Sequence, residues 1–160
     1  MKRTPTSDPW VDLTRLLRER PRSVFEARQQ LQRRGHGEDA VEKTIRAALD
    51  AGLLDDRAFT KLWVTDRLAH HPLSRAALAK ELYEKGIERS IVEAALEKHY
   101  PEVREIDLAR ELAEARYERL LGISSERRRT RTVNHLMRRG FSRGFACEVV
   151  RQVEKAVEDG

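Results

Sequence analysis

Arginine is the residue with chemistry to offer in this sequence. Seven fall between Ser125 and Arg143, at Arg127, Arg128, Arg129, Arg131, Arg138, Arg139 and Arg143, against one acid, Glu126. That is +6 across nineteen residues, more than the +5 of the whole 160-residue chain. A guanidinium presents a planar fork of donors that fits phosphate or carboxylate oxygens two at a time. The run therefore suits a polyanion or an acidic protein surface. Residues 55–120 hold twelve basic and fourteen acidic groups and are close to neutral; Arg67, Arg75 and Lys85 are the secondary basic candidates there. Aromatic residues interleaved for stacking on single-stranded bases are nearly absent from the run, since Phe141 and Phe145 fit a core.

Catalytic chemistry finds no support. The sequence has no glycine-rich phosphate loop, no His-Glu-x-x-His and no flanked nucleophile. His70 and His71 would point about 100° apart on a helix, with no carboxylate three or four residues further on. Asp55-Asp56 reads as a helix cap rather than a carboxylate pair. Cys147, the single cysteine, is expected as a buried thiol beside Ala146 and Val150; it excludes an internal disulfide and a multi-cysteine zinc site. Trp63 is expected to pack at a junction, and Trp10 to staple the first helix or meet a partner. No catalytic, cofactor-binding or metal-ligating residue is expected.

Charged residues make up 37% of the chain, against roughly 25% in ordinary globular proteins, so the core must be thin or divided. No apolar run approaches the roughly 18 residues of a membrane span. The expectation is a soluble, cytoplasmic protein with no membrane contact.

What positions the arginines is an internal repeat. LQRRGHGEDAV, LYEKGIERSIV and LMRRGFSRGFA begin at Leu31, Leu82 and Leu136, each placing a glycine four residues after the leucine, at Gly35, Gly86 and Gly140. Each reads as an amphipathic helix ending in a basic residue, a left-handed glycine at the first position beyond the cap, and an immediate new helix. Ser142 should cap the new helix in the third copy, and Ser23-Val-Phe-Glu26 is a capping box. A further helix precedes each pair: residues 11–19, 57–69 and about 105–121. The pattern predicts an all-α protein, an elongated array of three tandem three-helix repeats over residues 10–54, 55–102 and 103–160, behind a disordered leader at residues 1–9.

The segment Leu54-Asp55-Asp56-Arg57-Ala58-Phe59, with Val64, Arg67, Pro72-Leu73-Ser74-Arg75, Leu78, Glu81-Leu82 and Lys85-Gly86-Ile87, resembles the core signature of the RecX family of bacterial regulators of the RecA recombinase. Leu136-Met-Arg-Arg-Gly-Phe-Ser142 is similar to that family's C-terminal motif. Two positions depart from the pattern: Ser74 stands where many relatives carry glycine, and His36-Gly37 where apolar and capping residues are usual. The resemblance implies three-helix repeats in a curved rod, without catalytic residues. It implies a protein that binds the RecA filament on DNA, lowers its ATPase and strand-exchange activities, and acts in recombination, DNA repair and the SOS response; a monomer is expected. Direct contact with single- or double-stranded DNA is a further expectation. The helix–glycine turn–helix also resembles a helix-turn-helix, so DNA binding without RecA is the alternative, although Glu93 and Glu97 would face phosphate unfavourably.

Overall fold

The computed structural model describes residues 7–159. Among them are nine helices and no strand: α1 (Pro9–Glu19), α2 (Val24–Arg33), α3 (Glu38–Asp50), α4 (Asp56–His70), α5 (Arg75–Glu84), α6 (Arg89–His99), α7 (Glu102–Glu118), α8 (Ser125–Arg138) and α9 (Arg143–Asp159). The all-α expectation holds. Part of the expected leader, residues 1–6, lies outside the described residues. The rest does not behave as a leader, because Asp8 accepts the Trp10 N–H as N-cap of α1 and Pro9 is the first helical residue.

The three glycine turns share one hydrogen-bond pattern. Gly35, Gly86 and Gly140 have φ of 91°, 72° and 90°. Their N–H groups bond Gln32, Tyr83 and Met137 carbonyls, and the following residues, His36, Ile87 and Phe141, bond back to Leu31, Leu82 and Leu136. This double closure satisfies carbonyls that a helix end otherwise leaves open. Gly52, at φ 71°, makes a fourth turn of the same kind after α3, with Gly52 N–H on Leu49 and Leu53 N–H on Ala48.

His36 occupies the place that Ile87 and Phe141 fill with apolar side chains. It is buried, and so is Asp12. The Asp12 carboxylate accepts from His36 Nε2 and from the Arg34 guanidinium, each at 2.8 Å. The His36 hydrogen bond, with lesser help from Ser7 and Arg34, outweighs burial and holds the Asp12 carboxyl down at about 2.

Contacts divide the chain into two compact units. One contains the described residues up to Trp63 together with Glu81–Ala95; the other contains Val64–Lys80 and everything from Leu96 onward. In the first, Leu13, Ala27, Leu31, Val41, Ile45, Ala48 and Leu54 form the core. Ser23 Oγ caps α2 and donates to the Lys85 carbonyl at 2.7 Å, the Val24 N–H reaches Asp56, and Gly86 lies against the root of the Phe25 side chain.

The second unit has a core of Ala109, Ala113, Tyr117, Val133, Leu136, Phe141 and the Ala146/Val149/Val150/Val153 stripe of α9. It repeats the same joint. Ser74 Oγ caps α5, the Ser74 N–H donates to the Arg139 carbonyl at 2.8 Å, the Arg75 N–H reaches Glu105, and Gly140 lies against Ser74 and Ala77. In both units the start of one repeat's second helix is capped by an acid and a glycine turn from the next repeat. The serine at position 74 caps its helix as Ser23 does, but its backbone N–H, not its hydroxyl, meets the next repeat's carbonyl.

Candidate polyanion-binding face

Helix α8 starts at Ser125 because Gly122 and the extended Ser124 break the chain after α7. It buries Thr132, Val133 and Leu136. At 100° per residue, Arg127, Arg131 and Arg138 then fall within about 40° of arc on the side facing away from that stripe. All three are exposed, and none makes an ion pair among the described residues. They follow one another over about 16 Å of helix axis. Arg143, the first residue of α9, is likewise exposed.

The other arginines of the run do different things. Arg128 donates to the carbonyls of Leu120, Leu121 and Ile123 at 3.0–3.3 Å and lies over the Tyr117 ring at 4.8 Å. It ties down the turn between α7 and α8 and is not displayed on the surface stripe. Arg129 pairs at 2.8 Å with the buried Glu154, which also accepts from Tyr117. Arg139 is half-buried and donates to the Pro72 carbonyl at 3.1 Å.

Two basic residues outside the run, Arg116 of α7 and its cap Arg119, act on His135 of α8 through their charge. His135, half-buried on α8, has its pKa pushed down by burial and then by the charges of Arg139, Arg116, Arg138 and Arg119. Arg116 and Arg119 thus add to the same positive field. Their signal in the sequence was only a pair of basic residues in an acidic stretch.

The secondary candidates are internally engaged. Arg75 reaches Glu97 at 3.4 Å. Lys85 pairs with Glu26 at 3.0 Å and sits 4.2 Å from the centroid of Trp63. Trp63 stacks on Phe59 and donates to Glu81 at 2.8 Å, which accounts for it as packing. Arg67 is half-buried.

Other expectations resolve locally. Asp55 caps α4 through the Arg57 and Ala58 N–H groups, and Ser142 caps α9 through the Phe145 N–H. Cys147 corrects its expectation: it is exposed. It lies about 60–120° off the line of Val150, Ala146 and Val153, because a sequence neighbour of a buried helical residue is not its neighbour on the helix. No group of three metal-ligating side chains exists among the described residues, and no described helix is long and apolar enough to cross a membrane.

The fold and face define a class: an all-α protein of capped three-helix repeats bearing a stripe of unpaired arginines. Comparison with known proteins is more specific. Residues 55–96 match the model of the RecX second three-helix domain, and residues 102–153 that of the third. The chain is 33% identical over 158 residues to the regulatory protein RecX of Streptomyces coelicolor, covering 98% of this chain and 84% of that one. It is 34% identical over 138 residues to that of Thermobifida fusca, covering 86% and 74%. The crystal structure of RecX from Lactobacillus salivarius superposes with a TM-score of 0.75 at 19% identity, over 91% of this chain and 94% of that one. The chain belongs to the RecX family.

Proposed function

We propose that this protein binds the RecA–DNA filament and restrains its ATPase and strand exchange, working as a monomer in the cytoplasm and doing no catalysis of its own. Membership of a family whose curated relatives are named regulatory proteins supports the regulatory role. The observation that carries the contact is the Arg127/Arg131/Arg138 stripe, three exposed cations with no internal partner. The third repeat supplies the electrostatic grip, and Arg67, Arg75 and Lys85 of the middle repeat contribute shape and shorter-range contacts.

The test is a titration onto bare duplex, bare single strand and RecA-coated strand. Preference for the coated strand supports the proposal. Equal binding to bare duplex selects a DNA-binding protein acting without RecA. Reversing Arg127, Arg131 and Arg138 to Glu should weaken filament binding and inhibition at an unchanged melting temperature, because none of the three holds the fold. If phosphates are the target, the log–log salt slope should also fall by roughly 0.7–0.9 per lost contact. Unchanged affinity in the folded triple variant would move the contact to the middle repeat.

A further inference from the structure

The core-facing stripe of α7 runs on past the end of the core it serves. Ala109, Ala113 and Tyr117 are buried in the second unit, and Ile106 stands on the same line at helical spacing. Yet Ile106 is 38% exposed, and Val103, one turn earlier, is 71% exposed. Beside Ile106 a cleft of about 410 Å³ opens between the starts of α5, α7 and α9, lined wholly by residues of the second unit. Ile106, Ala76 and the Phe141/Phe145 pair, whose rings stack 5.7 Å apart, make its walls apolar. It has room for roughly a dozen waters.

The charged groups of the cleft are of one sign. Glu102 and Glu105 line it, and no lysine or arginine does. Glu105 accepts the Arg75 N–H through one oxygen at 2.8 Å. Glu102 is exposed and makes no ion pair among the described residues. Basic side chains close by in sequence turn elsewhere, Arg75 to Glu97 and Arg104 to Glu111. Apolar residues scattered singly on a surface are ordinary, but a continuous apolar cleft with a polar rim marks a binding site. Carboxylates on that rim repel phosphate and attract a cation.

We infer that this cleft docks a protein segment presenting a large apolar side chain with a lysine or arginine no more than one helical turn away. The apolar side chain fills the space between Ile106 and Phe145 and displaces its water. The cation meets Glu102 and the second oxygen of Glu105. The inference rests on the proposed filament contact for its source: the segment belongs to the recombinase subunits that coat the strand. The α8 stripe then serves groups of negative charge, and the cleft is what favours a coated strand over a bare one.

The experiment compares the full-length parent, Ile106→Ser and Glu102→Lys on RecA-coated and bare single strand at one salt concentration. Both positions are exposed, so both variants should stay folded, as circular dichroism would check. Each should bind the coated strand about tenfold more weakly, the size of an interface hot spot, without losing affinity for the bare strand. With p-benzoylphenylalanine in place of Val103, illumination should crosslink the chain to a recombinase segment holding both an apolar residue and a lysine or arginine. Coated-strand affinity kept by both folded variants would overturn the cleft and leave the α8 contact standing. So would a Glu102→Lys variant that tightens on bare and coated strand alike, the mark of phosphate in the cleft, or a crosslink to DNA. A parent with no preference for the coated strand would remove the filament reading, and the occupant of the cleft with it.

Discussion

A methyl group added at Gly86 has nowhere to go. An ideal Cβ there would lie 2.4 Å from Phe25 Cβ and 2.5 Å from Phe25 Cγ, at a backbone φ of +72°. The clashing atoms are the root of the phenylalanine side chain, so a change of rotamer does not clear them. Gly52 supplies the matched comparison: the same kind of turn, φ of +71°, and nothing within 4 Å of its Cβ position. Both glycines lie in the same compact unit. Gly52→Ala should therefore cost only the left-handed backbone penalty, about 1–2 kcal/mol. Gly86→Ala should cost that plus overpacking of about 1–3 kcal/mol. The smaller entropy of the unfolded alanine chain offsets each by about 0.4–1 kcal/mol and cancels in the difference. At about 2–4 °C per kcal/mol for a chain of this size, Gly86→Ala should melt several degrees below Gly52→Ala, followed by circular dichroism or urea titration. Equal losses in the two variants would refute the claim that Gly86 is held by contact with Phe25 as well as by its own turn.

Acid should weaken the first repeat through Asp12. Its folded pKa is depressed, so its contribution is present above the ordinary value of 3.8 and is lost as pH falls toward about 2. The shift corresponds to at most about 2.4 kcal/mol, which water around the Arg34 partner reduces to roughly 1 kcal/mol. Asp12→Asn should lower the urea midpoint at neutral pH, and its deficit against the parent should narrow between about pH 4 and about pH 2. Arg128→Ala should destabilise by about 1.5–3 kcal/mol, the range for hydrogen bonds from a charged donor, and Arg128→Lys should not fully restore it because an ammonium lacks the fork. Arg127→Ala should stay within about 0.5 kcal/mol of the parent in the same denaturation assay.

Three of the four left-handed turns were legible because the motif is local: a leucine, a glycine four residues on, and a residue that folds back. The turn at Gly52 escaped that template because Ala48 stands where the others have leucine. The candidate site was legible as a charge run but not as a surface. Nothing local distinguishes Arg127, which faces out, from Arg128, which binds turn carbonyls five to eight residues upstream. Arg116 and Arg119 reach His135's surroundings only through the packing of α7 on α8. The Asp12–His36 pair spans 24 residues, and no short window contains it. Cys147 shows the converse error, in which adjacency along the chain was read as adjacency in space.

The borrowed caps have a consequence for the order in which the chain can fold as it is made. When residue 54 has emerged from a ribosome, all three helices of the first repeat exist as sequence, yet the acceptor for the Val24 N–H, Asp56, and the carbonyl that receives the Ser23 hydroxyl, Lys85, have not. The start of α2 stays unfinished until the second glycine turn is synthesised. The start of α5 waits in the same way for Glu105 and for the carbonyl of Arg139. The first and second repeats are thus each locked by the one that follows, and a nascent chain released early carries an open helix end whose matching piece was never translated.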